Sequence, residues 1–303
     1  MAAQTTATLS KLLHGLQVRS VECVLHFDRP TPIRPLATAT VRGLAGHLLK
    51  FAHRAVVRRF FKPSHQGRAL LAANEGQDFG ALAGYKPSHI PPAYLFEAVT
   101  QKPSCSDSLR VIIRTWDSDG ELISAFREVL CHARGRPFGG FDRNMGREPS
   151  KVERVAFFEI PDPRCTGDHC SLHPAVIEFL TPLRLKVSQR FLREEEVTLG
   201  HLTEAAVRRL NQLSAVYGDK TELDETPFQV AASKVREISR SLCWIKQWGF
   251  SSTQETEINL SGPIGQIRFA ELPGVLADLL NAAALFHIGH KTAEGCGQLR
   301  LLG

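Results

Sequence analysis

Val275-Leu-Ala-Asp-Leu-Leu-Asn-Ala-Ala-Ala-Leu-Phe286 runs through His287-Ile-Gly-His-Lys-Thr-Ala-Glu-Gly-Cys-Gly-Gln298 into Leu299-Arg-Leu-Leu-Gly303. The first segment reads as an apolar helix, the second as a glycine-rich loop and the third as a strand. Upstream, Ala175–Val187 reads as a strand interrupted at Thr181-Pro182, and Ala206, Val207, Leu210 and Leu213 mark one face of a helix over 203–217. A helical pattern is expected over 227–241, then a strand pair at 244–250 and 257–265, extended to Phe269. The second half therefore reads strand, helix, strands, helix, strand. The first half shows the same order: a strand at 18–27, a helix from Thr40 through Val41, Leu44, Leu48 and Leu49 towards Phe60, strands at 94–99 and 109–116, a helix at 120–132 and a strand at 154–160. Two such halves predict an α+β fold of two tandem ferredoxin-like domains, residues 1–168 and 169–303, with the boundary near 165–172. That scaffold also serves many RNA-recognition modules.

The 303 residues suit two domains, each large enough for its own core. Lys plus Arg number 37 against 31 for Asp plus Glu, a net charge of +6 that favours polyanionic partners. Arginine clusters at 54/58/59, 134/136/143/147 and 208/209 favour nucleic acid over a membrane, because the planar guanidinium grips phosphate bidentately and stacks on bases. No apolar run approaches the ~18 residues a spanning helix needs, so no membrane role and a cytoplasmic location are expected. Seven scattered cysteines fit reduced thiols rather than a disulfide framework.

Gly289, Gly295 and Gly297 with His290 and Lys291 form a loop suited to phosphate: glycine frees the backbone so that successive N–H groups can converge on an anion beside a cation. The spacing matches neither the Walker nor the dinucleotide pattern, which points to a phosphodiester backbone rather than a nucleotide cofactor. The bland alternative is a hairpin between helix and strand. Arg184 and Lys186 alternate onto one strand face and are expected to grip phosphates, as are Arg58 and Arg59. Trp244, Trp248 and Phe250 are stacking candidates, with core packing the competing use.

In the first helix, His47, Lys50 and Arg54 share one face, with Arg42 and His53 near it. An imidazole beside cations is what cleavage of RNA by its own 2′-OH requires: proton removal, proton donation and charge balance on the phosphorane. Taken alone, His47 reads more readily as an ordinary helix histidine. Cys165, His169, Cys170 and His173 gather two cysteines and two histidines, but their spacing is not that of a structural zinc site, and a solvated linker is the expected reading. No cofactor is expected.

Several segments together resemble the CRISPR-associated endoribonucleases of the RAMP superfamily that cut repeats in precursor transcripts. They are Val41-Arg-Gly-Leu-Ala-Gly-His47, Pro91-Pro-Ala-Tyr-Leu-Phe96, Phe179-Leu-Thr-Pro-Leu-Arg-Leu-Lys186, Trp244 with Ser251-Ser-Thr-Gln254, and His287 to Gly297. They run in the family's order over nearly the whole chain, and the last is the most specific. The resemblance implies tandem ferredoxin-like domains binding CRISPR repeat RNA, with metal-independent cleavage that leaves a cyclic phosphate and a 5′-OH and releases guide crRNA. It implies a catalytic histidine near the first helix, which maps onto His47, with Lys50 as charge-stabilising partner. Members of the family vary in which residues do the chemistry, some using tyrosine or arginine, which leaves Arg42, Tyr85 and Tyr94 open as catalytic candidates. Other Cas proteins of an effector complex are implied partners. The competing function is a non-catalytic RAMP subunit that holds crRNA. His290 and Cys296 stand where many relatives have other residues, so backbone phosphate binding carries over more safely than side-chain roles.

Overall fold

The computed structural model describes residues 2–33, 36–52, 90–99, 105–117, 119–138, 149–160, 171–251 and 256–303. The first element is a helix that the sequence reading did not assign, α1 (Ala2–Leu16). Leu9, Leu12 and Leu16 lie on one of its faces and are fully or nearly fully buried.

The first sheet comprises β1 (Arg19–Pro32), β2 (Tyr94–Val99), β3 (Cys105–Thr115), β4 (Pro137–Phe138) and β5 (Ser150–Glu159), in the order β2-β3-β1-β5-β4. Helices α2 (Ala37–Ala52) and α3 (Glu121–Cys131) complete this half. Strand β1 is central because it alternates: Val21, Cys23, Leu25 and Phe27 all turn inward, and its two edges pair antiparallel with β3 and β5. Helix α3 covers that inner face with Leu122, Phe126, Val129 and Leu130, and the Asp117 carboxylate accepts the Leu122 N–H at 2.9 Å to hold its first turn.

The second sheet uses β6 (Ala175–Phe179), β9 (Glu237–Ile245), β12 (Gly262–Phe269) and β13 (Leu299–Leu302), in the order β13-β6-β12-β9. Two hairpins are added, β7 (Lys186–Val187) with β8 (Arg190–Phe191), and β10 (Trp248–Ser251) with β11 (Thr256–Asn259). Its helices are α4 (Leu199–Tyr217), α5 (Thr226–Ala232) and α6 (Gly274–Phe286). If the short β4 is set aside, both halves are strand-helix-strand-strand-helix-strand with the first and third strands central, so the fold is two tandem ferredoxin-like units.

The structure corrects the expectation of a helix over 227–241. Helix α5 stops at Ala232, and 237–245 form β9, with Trp244 near its end. Ile238, Arg240, Leu242 and Trp244 alternate along it, a period-2 pattern that wins once β12 supplies a pairing edge. The 175–187 strand ends at Phe179, because Pro182 cannot continue the ladder and 186–191 fold back as a separate hairpin. The expected boundary falls largely on 161–170, outside the described residues.

One continuous apolar core runs through both halves. At the joint, the Trp116 ring meets the edge of Phe286 at 5.2 Å, the Tyr217 hydroxyl donates to the Pro91 carbonyl at 2.6 Å, and α1 packs on α4 and α6. No helix among the described residues is long and apolar enough to cross a membrane.

Candidate nucleic-acid interface

The glycine loop is held at both ends by groups drawn from elsewhere in the chain. Where α6 stops, Arg209 of α4 donates from Nε and Nη2 to the Phe286 carbonyl at 3.3 and 3.2 Å, placing a cation on the negative end of the helix. The next residue, His287, is fully buried in the left-handed region at φ 55°, and its Nε2 lies 3.1 Å from the Glu97 carboxylate of β2, which also pairs with Arg114 of β3. Burial pulls the His287 pKa below the ordinary histidine value although Glu97 pulls the other way, so a neutral imidazole donates its Nε2–H. Burial opposes ionisation of Glu97, but His287 and Arg114 together outweigh it and hold the carboxyl below the usual glutamate range. Among the described residues no hydrogen-bond partner is placed for the buried Nδ1 of His287.

Beyond His287 the loop closes on itself. The Ile288 N–H donates to Gly297 O at 3.1 Å, His290 N–H to Arg184 O at 2.9 Å, Cys296 N–H to Lys291 O at 3.1 Å and Gly297 N–H to Pro182 O at 2.9 Å. Lys291 adopts a left-handed conformation that starts one 3-10 turn, Thr292–Glu294. The expected nest of N–H groups around an anion is therefore largely replaced by internal bonds. The glycines serve close packing: a Cβ on Gly297 would stand 1.9 Å from the Ile288 carbonyl oxygen, and one on Gly295 2.6 Å from Thr38 of α2. Cys296 is fully buried, and burial raises its thiol to about 12, so it is an inert packing residue.

What the loop presents outward is side chains. His290 and Lys291 are exposed on one wall of a cleft of about 580 Å³ between the two halves, which Lys186, Arg208, Gln212 and Glu294 also line. Gln212 was not singled out from sequence, whereas Arg208 belongs to the arginine cluster at 208/209. Both arginines of the pair line the cleft, but neighbours on a helix point about 100° apart, so Arg208 is exposed while Arg209 is buried and tied to the end of α6.

Arg184 departs from expectation. It is 7% exposed, donates to the Ser261 carbonyl, and lies 4.1 Å over the Phe191 ring, whose edge meets His290. The Pro182 break turns 183–185 inward, and burial lowers the Arg184 pKa, so this guanidinium pins the β7–β8 hairpin while Lys186 reaches the cleft.

Helix α2 rests on the same loop. The Thr38 hydroxyl accepts the Ala98 N–H at 3.1 Å beside Gly295. Arg42 donates from Nε to the Tyr94 hydroxyl at 3.1 Å, and another of its nitrogens lies 3.8 Å from Glu294 of the loop. Tyr94 is fully buried and its pKa is raised by that burial, so its phenol stays protonated. His47 stands exposed further along α2. The Lys50 side chain and residues His53, Arg54, Arg58, Arg59 and Tyr85 lie outside the described residues.

Trp244 is half-buried under Arg193 at 4.5 Å, Trp248 is 57% exposed at the base of the β10–β11 hairpin, and the Phe250 side chain lies outside the described residues. Cys165, His169 and Cys170 also lie outside them, and His173 pairs with Glu271 at 3.3 Å. Among the described residues no group of three or more His, Cys, Asp or Glu is placed to hold a metal ion.

Residues 177–299 match the family described as CRISPR-associated endoribonuclease Cas6. Among solved structures, a product complex of Cas6 from Thermus thermophilus is similar with a TM-score of 0.54 at 13% identity, covering 94% of this chain and 100% of that one. A Cas6-related protein of Pyrococcus furiosus gives 0.51 at 12% identity, covering 94% and 98%. A chain of a partial Cas6-RT-Cas1–Cas2 complex gives 0.55 at 11% identity, covering 94% and 46%. Against curated proteins the sequence has no match. The resemblance read from the sequence thus stands on two legs, and the chain is similar to the Cas6 family of CRISPR-associated endoribonucleases by sequence over 177–299 and by fold over 94% of its length.

Proposed function

We propose that this chain cuts CRISPR repeat RNA within precursor transcripts to release guide crRNA. The observation that carries the reading is the docking of α2, which bears the exposed His47, onto the loop that lines a cationic cleft with His290 and Lys291. RNA held along Lys186, Arg208, His290 and Lys291 meets His47 as general base, with Lys50 balancing charge and Arg58 and Arg59 as further phosphate contacts. The 2′ oxygen attacks the adjacent phosphorus as its proton leaves. The bond to the 5′ oxygen breaks as that oxygen is protonated, and a 2′,3′-cyclic phosphate and a 5′-OH result. No water enters and no metal is needed, because the nucleophile is already in the substrate and the cations are the protein's own.

The division near residue 168, a cytoplasmic location and association with other Cas proteins belong to the same reading. The neighbouring structures support it: one is a Cas6 product complex and another a Cas6-RT-Cas1–Cas2 complex. The test is incubation with labelled repeat RNA in excess EDTA, comparing wild type with His47→Ala. A single cut ending in a cyclic phosphate, lost in the variant, is expected. Tight binding with no cut by either protein would make this a crRNA-holding subunit instead.

A further inference from the structure

Arg42 offers little to a reacting phosphate. Its Nε is engaged by the buried Tyr94 hydroxyl, and the Glu294 carboxylate beside it cancels its charge at 3.8 Å. The side chains of Arg42 and Glu294 are 29% and 18% exposed, so the pair is mostly shielded from water, where a fixed ion pair counts for more than on an open surface. The contact also joins the two halves: Arg42 belongs to the first turns of α2, and Glu294 to the 3-10 turn three residues after Lys291. One turn earlier, Thr38 packs against Gly295.

We infer that Arg42 is a positioning residue, whose pairing with Glu294 and Tyr94 seats helix α2 on the glycine loop and so fixes His47 relative to RNA bound in the cleft. This rests on the reading of the chain as a repeat-cleaving nuclease and adds the device that aligns its two halves. The leverage is geometric. His47 lies five residues beyond Arg42, about 7.5 Å along the axis, so a tilt of roughly 10° at the clamp moves the imidazole by about 1 Å. A displacement of that size at a reacting group costs on the order of 10²-fold in rate.

The discriminating variant is Glu294→Ala, which removes the partner and leaves Arg42 intact. Under single-turnover conditions in EDTA, Glu294→Ala and Arg42→Ala are each expected to cut repeat RNA about 10- to 100-fold more slowly than wild type, with RNA affinity within a few-fold. The double variant is expected to be no slower than the slower single, because both break one contact. Amide exchange over 37–49 is expected to accelerate in Glu294→Ala. A Glu294→Ala protein that cuts at the wild-type rate or faster, while Arg42→Ala is slow, would overturn the inference and make Arg42 a direct phosphate contact. If wild type does not cut, the nuclease reading fails, and unchanged exchange over 37–49 in Glu294→Ala would independently overturn the clamp.

Discussion

Helices α2 and α4 occupy equivalent places, each following the first strand of its half, yet they are put to opposite uses. Most of α4 is buried, because α1, α5 and α6 all pack on it, and even the polar Thr203, Arg209, Asn211 and Gln212 are enclosed. Its polar groups are accordingly committed to structure: Arg209 holds the end of α6, and Asn211 exchanges hydrogen bonds with the backbone of Leu223 at 3.0 and 2.8 Å. Helix α2 buries Val41, Ala45, Leu48 and Leu49 but leaves Gly43 and His47 exposed, and its principal polar contact outside its own sheet is the loop of the other half. A helix covered on several sides has its side chains fixed by packing. One that leaves a residue such as His47 exposed among the described residues can keep an imidazole within reach of a large ligand. On the proposed function, α4 then belongs to the platform and α2 carries the chemistry.

Paired substitutions on the two helices break this comparison most directly. His47→Ala on α2 is expected to slow single-turnover cleavage by about 10²- to 10⁴-fold, the usual contribution of general acid–base catalysis, with affinity for repeat RNA within a few-fold. Arg208→Ala on α4 is expected to do the reverse, weakening binding while the rate at saturating RNA holds. If Arg208→Ala slowed the chemical step as much as His47→Ala, the assignment of platform and chemistry to separate helices would be wrong.

The next effect is on folding. Arg209 is 6% exposed, and its guanidinium makes charge-assisted bonds to the end of α6 while lying 6.0 Å from the Trp116 ring. Arg209→Ala is expected to cost about 2 to 3 kcal/mol, read from urea midpoints at unchanged slope. Arg208→Ala, next to it but exposed and, among the described residues, paired with Glu204 at the surface, is expected to change stability by less than about 0.5 kcal/mol. Similar losses at both positions would mean that burial does not set the difference between them.

The histidines extend the contrast. His287 is fully buried with its pKa lowered, so the unfolded chain takes up a proton more readily than the folded one, and stability falls as pH drops below about 6.5, the ordinary histidine value. Glu97, whose pKa is also lowered, adds a further loss at lower pH, through the range below an ordinary glutamate. His287→Gln keeps a donor for Glu97 and removes the titration. Its urea midpoint is expected to change less than that of wild type between pH 7 and pH 5.5. Parallel curves would show that His287 does not carry this acid sensitivity.

What the sequence made legible were patterns local to one element. The alternation of Val21, Cys23, Leu25 and Phe27 and the helical face of Leu122, Phe126 and Val129 placed a strand and a helix of the first half. Helix α1 carried an equally clear signal in Leu9, Leu12 and Leu16, which share one helical face. The stretch from Gln229 to Ile245 fits both periods, and only pairing with β12 decides for a strand from Glu237. Side-chain direction near the cleft was hidden for a related reason. Arg184 and Lys186 look equivalent in sequence until the turn at Pro182 sends one inward. Least legible were the contacts between halves: Arg42 and Glu294, or Glu97 and His287, lie far apart in the chain and are joined only by tertiary packing.

The smallest effect is also the cleanest test of where RNA lies. Lys291 is exposed on the cleft wall and has no carboxylate partner among the described residues, so removing it deletes one positive charge and disturbs little else. If it neutralises one phosphate, Lys291→Ala is expected to weaken RNA binding uniformly across sequences and to reduce the slope of log affinity against log salt by about one unit. Arg184→Ala supplies the contrast within the same loop system. Its guanidinium is tied to Ser261 and Phe191, so its loss is expected to lower stability and leave the salt slope nearly intact. A slope change at Arg184 and none at Lys291 would place the RNA on the hairpin side rather than in the cleft, and the phosphate track would have to be redrawn around β7 and β8.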